Sequence, residues 1–228
     1  MKQIVFATGN PHKLQELKAI AGDCGIDFIL PPEGFDPDET GTTFEENSYI
    51  KAKEAAKLSG IIALADDSGL CVDVLNGEPG IHSARYAETP QKRIDKLQNA
   101  LKGKDNRKAK FVCVMTLVSP KGDILFQTRG ECKGEIATFQ SGTRGFGYDP
   151  IFVPLADSRP LRERVELLGE RSELSNSGEG LSVTNINYND NVIVTMADMP
   201  EDEKNKISHR ARALSKVLKY LKDNLFTV

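Results

Sequence analysis

The 228-residue sequence has no apolar run that approaches the ~20 residues needed for a membrane-spanning helix. Its opening residues, MKQIVFAT, are also too short to supply the apolar region of a signal peptide. We therefore expect no contact with membranes and a cytoplasmic location. The composition, 39% hydrophobic and 28% charged, is that of a globular protein, and the length allows one large domain or two lobes that share a cleft.

Cysteine is scarce and scattered. The four cysteines (Cys24, Cys71, Cys113 and Cys132) lie far apart and form no CxxC pair, so a zinc site is not expected. A disulfide framework is equally unexpected in a chain of this length. We interpret the cysteines as reduced, mostly buried small hydrophobic residues of a cytosolic protein.

A large excess of positive charge is also missing, since the formal net charge is -3. This balance argues against nucleic acid as a partner, because binding to its phosphate backbone needs a basic surface. It still permits a small anionic ligand, because a few local lysines and arginines can create a positive field inside an acidic protein.

The hydrophobic pattern predicts an α/β fold with a mixed sheet. Predicted strands cover residues 2–7, 26–30, 61–65, 110–118, 123–130 and 151–153, and predicted helices cover 14–21, 44–58, 91–101 and 200–225. The segment Pro120-Lys121-Gly122 joins two of these strands in an antiparallel hairpin. Residues 155–193 do not fit the pattern, and we interpret them as a surface insertion made of one exposed amphipathic helix and a polar loop.

Asp66-Asp67-Ser68-Gly69 follows directly after the predicted strand 61–65. Carboxylates at the carboxyl end of a strand lie where α/β sheets place their sites, and such hard oxygen ligands suit Mg²⁺. The same residue types also form ordinary turns, and the motif by itself favours neither interpretation. Glu39, in the acidic loop 31–43, could complete a metal site with the aspartates, although a solvated loop is the favoured reading of that glutamate alone.

The segment Thr8-Gly9-Asn10-Pro11-His12-Lys13, between the first strand and the first helix, is a candidate phosphate-binding turn. Glycine permits close approach of the backbone, Thr8 and Asn10 can donate hydrogen bonds, and Lys13 supplies charge. The segment lacks the Gly-Lys-Ser/Thr ending of a Walker A loop, and a purely structural turn explains it equally well.

Two later segments could bind a base. Phe146-Gly147-Tyr148-Asp149 offers aromatic faces and a carboxylate, although a structural turn that ends in an aromatic core residue is favoured from spacing alone. On the predicted last helix, Lys204 and Ser208 share a face and His209-Arg210 border it. These groups could bind a base carbonyl or a phosphate, but a solvated basic face is the favoured interpretation, as it is for Lys51.

In their order along the chain, these motifs strongly resemble the inosine triphosphate pyrophosphatase family, which hydrolyses ITP, dITP and XTP. The matching segments are ATGNPHK (7–13), ETGTTFEENSYIKA (39–52), ALADDSGLCVDVLNGEPGIHSARYA (63–87), GFGYDPIFVP (145–154) and EKNKISHRARAL (203–214). The resemblance implies an elongated α/β fold with two lobes around a deep cleft, and a homodimer. The segment 155–193 is the one clear departure, because the family connects these parts more briefly.

The resemblance also implies roles. Thr8 to Lys13 would hold the triphosphate together with Lys51, Glu39 and Asp67 would hold Mg²⁺, and Asp67 would activate water beside Asp66. Ser68 would contact the substrate, Phe146 to Asp149 would clamp the base and ribose, and Lys204, His209 and Arg210 would read the 6-oxo group of the purine. We therefore expect the amino-terminal turn, the aspartates and the Ser-His-Arg segment to converge around one hollow.

The implied chemistry fits these residue types. Water attacks the α-phosphorus, so cations must neutralise the leaving pyrophosphate and a carboxylate must accept a proton. Donors around the 6-oxo group would reject adenine, but guanine also has this group, so its exclusion must depend on the 2-position, which no residue named above explains. Two alternatives are a Maf-type pyrophosphatase for pyrimidine or modified nucleotides and a nucleotide-binding protein without turnover.

Overall fold

The computed structural model describes residues 2–155 and 195–224. Most of the predicted insertion, including its predicted helix and loop, lies outside these residues. None of the helices in the described part is both long and apolar enough to cross a bilayer.

Six strands form a single mixed sheet in the order β2-β1-β3-β4-β5-β6. They are β1 (Lys2–Phe6), β2 (Ile26–Ile29), β3 (Ala63–Val72), β4 (Lys108–Val118), β5 (Ile124–Ile136) and β6 (Phe152–Pro154). Strand β1 pairs in parallel with β2 and β3, whereas the pairs from β3 to β6 are antiparallel. The predicted mixed α/β fold is confirmed.

Five α-helices accompany the sheet in the described residues: α1 (Pro11–Ala21), α2 (Phe44–Ser59), α3 (Pro90–Ala100), α4 (Glu201–Ile207) and α5 (His209–Asn224). Helix α2 begins as predicted, because the Thr43 hydroxyl accepts a hydrogen bond from the Glu46 amide at 3.1 Å. The Glu46 carboxylate, however, accepts from the Thr42 amide at 2.6 Å. Gly60, with φ of 71°, ends the helix in the left-handed conformation.

The predicted hairpin is confirmed, but its second strand is longer than expected. Strand β5 continues through Gly130 to Ile136 because this glycine is a point of close packing and not a strand break. A Cβ atom at position 130 would lie 2.2 Å from the carbonyl oxygen of His209 and 2.5 Å from the amide nitrogen of Ala213. Glycine therefore lets the first turn of α5 rest directly on the sheet.

Strand β3 corrects the prediction that a strand ends at residue 65. It continues through both aspartates to Val72, because β4 pairs with it along its whole length, with Asp66 opposite Met115 and Asp67 opposite Val114. On the other side of β3, strand β1 stops at Phe6, which pairs with Leu64. The aspartates therefore lie in the middle of their own strand, beside an edge that β1 no longer covers.

Three of the hydrophobic clusters lie in two regions of the sheet, which we call the proximal lobe and the distal lobe. In the proximal lobe, α1 and α5 pack on one face of the sheet around Phe6 and Leu64, and α2 packs on the other face against Ala63 and Ala65. In the distal lobe, α3 packs against Leu70 and the far ends of β4, β5 and β6. The long strands β3, β4 and β5 run through both lobes.

The predicted helix 200–225 is wrong as one element, because it is interrupted at Ser208. This residue is extended (φ -62°, ψ 152°), and its hydroxyl accepts a hydrogen bond from the Ala211 amide at 3.1 Å. Serine thus acts as the N-cap of α5. As a consequence, Lys204 and Ser208 do not share one continuous helix face, and His209 and Arg210 occupy the first turn of α5.

Candidate active site

The amino-terminal turn is organised by its own polar groups. The Thr8 hydroxyl accepts a hydrogen bond from the Asn10 amide at 3.1 Å, and the Lys13 amide donates to the Asn10 carbonyl at 3.1 Å. Thr8, Gly9 and Lys13 line a cavity of about 240 Å³, here called the proximal cavity. Pro11 is exposed at the start of α1 and lines no part of it, and the side chain of His12 lies outside the described atoms.

Asp66 lies at the centre of a buried cluster of charges on the face of the sheet that bears α1 and α5. Its carboxylate accepts hydrogen bonds from Arg210 Nη2 at 2.9 Å, from Lys13 Nζ at 3.4 Å and from the Ser68 hydroxyl at 3.0 Å. Arg210 also donates through Nη1 to Glu16 at 2.5 Å. The predicted interpretation of Arg210 as part of a solvated basic face is therefore wrong, since this side chain is almost fully buried.

Asp67 projects to the opposite face, because successive side chains of a strand alternate. It accepts hydrogen bonds from Lys51 Nζ at 2.9 Å and from the Asn47 amide group at 3.4 Å, both on α2. Lys51 Nζ lies 3.0 Å from Glu39, which it thereby holds beside Asp67. The solvated-face reading of Lys51 is wrong in this structure, whereas Glu39 lies in an exposed loop and is also paired with Lys51.

The two aspartates differ in their pKa values. Burial by itself would raise the pKa of Asp66, but Lys13, Arg210 and Lys51 outweigh it and hold that pKa far below its ordinary value. For Asp67, burial dominates and raises the pKa, because Lys51 is shared with Glu39 and Asp66 and compensates only in part. Neighbouring carboxyl groups with opposite pKa shifts are typical of active sites in which one carboxylate stays ionised and the other accepts a proton.

The carboxylates of Glu39 and Asp67 are candidate ligands for a metal ion. Among the described residues, no three His, Cys, Asp or Glu side chains converge to form a metal-binding group. Glu39 and Asp67 nevertheless face a common point, since both lie within 3.0 Å of Lys51 Nζ. Two carboxylates fit Mg²⁺ that shares its remaining ligands with substrate phosphates and water, and do not fit a cation enclosed by protein alone.

A second cavity of about 250 Å³, here called the distal cavity, opens beside the first. Lys13 lines both cavities, so they meet at this side chain. Ser68 and Gly69 of β3 line the distal cavity, together with the first turn of α5. The expected convergence therefore holds for Asp66, which lines the proximal cavity with the amino-terminal turn, whereas Asp67 is not among the lining residues of either cavity and faces α2.

The Phe146–Asp149 segment supports both of its interpretations. The Phe146 ring is 54% exposed at the rim of the distal cavity, and Lys204 Nζ lies 4.8 Å from the centre of that ring. Asp149 is buried, and its carboxylate accepts from Lys204 Nζ and from the Phe146 amide, both at 2.8 Å. Tyr148 is instead a core residue whose hydroxyl donates to the Ser83 carbonyl at 3.1 Å. Gly147, with φ of 64°, permits the turn between them.

His209 forms part of the wall of the distal cavity. Its ring stacks on Phe111, with centroids 4.9 Å apart. Burial, and then the nearby Arg210 and Lys204, lower the pKa of His209 well below its ordinary value, so the imidazole is neutral. Both Lys204 and His209 are buried, which contradicts the predicted solvated face for them too.

Three residues of this region were missed in the sequence. Glu16 pairs with Arg210, Asn47 binds Asp67, and Arg93 of α3 lines the distal cavity. Helical spacing could have indicated the first two, because Glu16 lies three residues after Lys13 and Asn47 lies four residues before Lys51. Nothing in the local sequence connects Arg93 to the site, because only the packing of α3 on the distal lobe brings it there.

Comparison with known protein families gives one match of long extent. The model described as the Ham1 family matches residues 4–166 and 184–220, which is most of the chain. The chain belongs to the Ham1 family. The family model leaves residues 167–183 unmatched, inside the segment predicted to be an insertion.

Curated relatives agree with the Ham1 family assignment. The chain is 38% identical over 218 residues to a dITP/XTP pyrophosphatase of Synechocystis sp., an alignment that covers 96% of this chain and 94% of the relative. It is 47% identical over 151 residues to a dITP/XTP pyrophosphatase of Nostoc sp., which covers 66% and 77% of the two chains. The resemblance inferred from the motifs is confirmed.

Solved Ham1 structures share the fold. A HAM1 protein from Coxiella burnetii superposes with a TM-score of 0.75 at 35% identity, covering 98% of this chain and all of that one. The Staphylococcus aureus Ham1 protein gives a TM-score of 0.74 at 35% identity, covering 97% of this chain and 99% of the other. These values extend the likeness from the sequence motifs to the whole α/β architecture.

Proposed function

We propose that this protein is a Mg²⁺-dependent pyrophosphatase that hydrolyses deaminated purine nucleoside triphosphates (ITP, dITP and XTP) to the monophosphate and pyrophosphate. The observation that carries this proposal is the meeting of two unlike cavities at Lys13. One cavity is lined by lysines and carboxylates, and the other has an aromatic rim and buried donors. The relatives from Synechocystis and Nostoc are dITP/XTP pyrophosphatases, which supports the same substrate class.

The triphosphate would occupy the proximal cavity. Lys13 and Lys51 supply positive charge there, and the Thr8–Asn10 turn exposes backbone beside them. No side chain would meet a Cβ at Gly9, so the phosphates can approach the main chain closely. Cations fixed before the substrate arrives can stabilise the charge that develops on the leaving pyrophosphate.

Magnesium, held by Glu39 and Asp67, would supply charge neutralisation at the phosphate oxygens. The protein's own contribution is to keep those two carboxylates side by side, which Lys51 and Asn47 accomplish through their contacts with Glu39 and Asp67. Removal of Mg²⁺ with a chelator should abolish turnover and its return should restore it.

Asp67 would act as the general base. As the water oxygen forms its bond to the α-phosphorus, the bond from that phosphorus to the bridging oxygen breaks, pyrophosphate leaves, and the water proton passes to the Asp67 carboxylate. The raised pKa of Asp67, caused by burial, makes this carboxylate a better proton acceptor than its neighbour. Asp66, whose low pKa keeps it ionised, would hold Lys13 and Arg210 in place.

The purine would occupy the distal cavity, with Phe146 stacked on one face of the base. Lys204, His209 and Arg210 lie together on the cavity wall and would donate to the 6-oxo group. Arg210 retains donors for this purpose, because a guanidinium has five N–H groups and only three of them bind Asp66 and Glu16. Adenine presents a 6-amino donor to the same groups and would leave them unpaired.

A substrate panel tests this proposal. Release of pyrophosphate is measured with ITP, XTP, dTTP and ATP in the presence of Mg²⁺. Selective cleavage of ITP and XTP supports the proposal, and preferred cleavage of dTTP would replace it with the Maf-type alternative. Tight binding of ITP without product would instead identify a non-catalytic nucleotide-binding protein.

The homodimer stays a prediction from the resemblance, and the cytoplasmic location stays a prediction from the sequence. Size-exclusion chromatography with light scattering measures the first directly, and a mass near twice 25.1 kDa would support it. A monomer mass at micromolar concentration would contradict it.

A further inference from the structure

Arg93 differs from the other arginines of the described residues. Six of them make a side-chain hydrogen bond or an ion pair with another described residue: Arg85, Arg107, Arg129, Arg144, Arg210 and Arg212. Arg93 donates no such side-chain bond to the part of the chain that the structure describes. Its Nε atom is buried and has no hydrogen-bond partner. An unpaired donor on a cation costs free energy in the empty protein, so this position invites a ligand acceptor.

The surroundings of Arg93 strengthen that reading. It lines the distal cavity together with Tyr148, Phe111 and Leu70, and the Asp149 carboxylate of the same lining already accepts from Lys204 and from the Phe146 amide. Burial raises the pKa of Tyr148, and the positive charge of Arg93 opposes that rise, which places the guanidinium in the electrostatic range of the tyrosine hydroxyl. That hydroxyl already donates to the Ser83 carbonyl. The guanidinium is therefore left available to a ligand.

The position of Arg93 along the cavity determines what it can meet. Asn10 and Lys13 of the proximal lobe also line this cavity, and Lys13, which it shares with the proximal cavity, would lie nearest the phosphates. Arg93 belongs to α3 of the distal lobe, whose neighbours Ile94 and Leu97 are anchored in the distal core. A nucleotide with its phosphates at Lys13 would therefore present its base, and not its phosphates, to Arg93.

We propose that Arg93 is a specificity-determining residue that reads the 2-position of the purine, an inference that rests on the proposed function. The 6-oxo group is already supplied with donors by Lys204, His209 and Arg210. Xanthine has a 2-oxo acceptor that can receive a hydrogen bond from the guanidinium, hypoxanthine has only hydrogen there, and guanine presents a 2-amino donor. Arg93 thus favours XTP and disfavours GTP, which supplies the discrimination that the 6-position cannot provide.

The test compares XTP, ITP and GTP, which share the triphosphate, the ribose and the 6-oxo group and differ at the 2-position, with the change at N3 that the 2-oxo group of xanthine brings. Arg93→Met keeps the length of the side chain and removes its donors. We expect the ratio of kcat/KM for XTP to that for ITP to fall by about 10-fold to 100-fold, the range for a hydrogen bond to a charged group. The ratio for GTP to ITP should rise. Lys92→Met removes an exposed cation from the same helix and should leave both ratios unchanged.

Each outcome separates this inference from the function it rests on. Wild-type turnover of ITP and XTP with unchanged ratios in Arg93→Met would overturn the inference and leave the proposed function intact. An equal loss for all three substrates would also overturn it, because that result indicates contact with ribose or phosphate, or a structural role. Absence of wild-type turnover would overturn both. Should Arg93→Met fail to fold, Arg93→Lys keeps the charge without the Nε donor and should still lower the XTP to ITP ratio.

Discussion

The proximal and distal cavities share one lysine and yet differ in their unpaired polar atoms. In the proximal cavity the lining lysines are paired, Lys51 with Glu39 and Lys13 with Asp66. In the distal cavity, two lining residues keep a buried polar atom without a partner, Arg93 Nε and His209 Nδ1; the third such atom in the described residues is Asn205 Oδ1 on α4. The comparison indicates that the proximal cavity is suited to the triphosphate, which all substrates share. The distal cavity is suited to the base, by which the substrates differ.

This difference predicts how substitutions should behave. Loss of one member of the paired charges should affect every substrate, because the triphosphate is common to all. Changes in the distal cavity should be smaller and should depend on the substrate or the pH.

The largest effect is expected for Asp67→Asn. The amide cannot accept a proton, so kcat should fall by about 10²-fold to 10⁴-fold for ITP and XTP alike. The fold should persist, since asparagine fits the same space. Steady-state kinetics and a circular dichroism melt measure the two properties, and Asp95→Asn, an exposed aspartate of α3, is the matched control. A kcat near the wild-type value would remove Asp67 as the base.

The next largest effect is expected for Arg210→Met. Arg210 connects the two cavities, because it binds Asp66 and lines the distal cavity. Its loss removes the cation that pairs with Glu16 and leaves the buried Asp66 carboxylate with Lys13 as its remaining ion-pair partner, so the free energy of unfolding should fall by about 3 kcal/mol. Urea denaturation measures this change. Arg212→Met, two residues along α5, removes an exposed guanidinium that donates only to the Ile207 carbonyl and should cost less than about 1 kcal/mol. Equal losses in both variants would contradict the central role of Arg210.

Gly130→Ala tests whether the close contact between β5 and α5 fixes the position of the distal cavity wall. The added methyl group would meet backbone atoms of His209 and Ala213, which cannot move without shifting α5. The free energy of unfolding should fall by about 1 to 3 kcal/mol, and discrimination between ITP and ATP should weaken together with it. Unaltered stability would show that α5 does not depend on this contact for its position.

The smallest effect is expected for the contribution of His209 to the pH dependence of the free energy of unfolding. Since the pKa of His209 is lowered in the folded protein, the unfolded chain binds a proton below about pH 6.5 that the folded chain does not. The free energy of unfolding therefore decreases as pH falls below 6.5 and approaches a slope of about 1.4 kcal/mol per pH unit from this group. His209→Gln should remove that part of the slope, as measured by urea denaturation at several pH values. Parallel curves for the two proteins would contradict a neutral buried imidazole.

Much of this architecture could be predicted from local patterns. The hairpin around Pro120-Lys121-Gly122, the Thr43 cap and the strand-turn-helix at Thr8 all depend on neighbouring residues, and all three are present. The length of β3 depends on pairing with β4, which no local pattern contains. For that reason the prediction placed the aspartates at the end of a strand when they lie in its middle.

The candidate site was predictable where motifs are contiguous, and not where contacts span the chain. Lys204 and His209 were expected on a solvated face, because a basic helix is usually exposed when it is read alone. Their burial results from Asp149 and Phe111, which are distant in the sequence. Arg93 was missed for the same reason, since only the packing of α3 on the distal lobe brings its unpaired Nε atom to the cavity.

The alternation of Asp66 and Asp67 along β3 has a consequence for how this protein can vary. Each aspartate reaches its own set of helices only in the present register of β3 against β4. Removal of a single residue upstream in the strand would move Asp67 into the place of Asp66 beside Arg210 and would put Ser68 where Asp67 meets Lys51. Length changes should therefore accumulate in the loops around this strand, while the strand itself tolerates none.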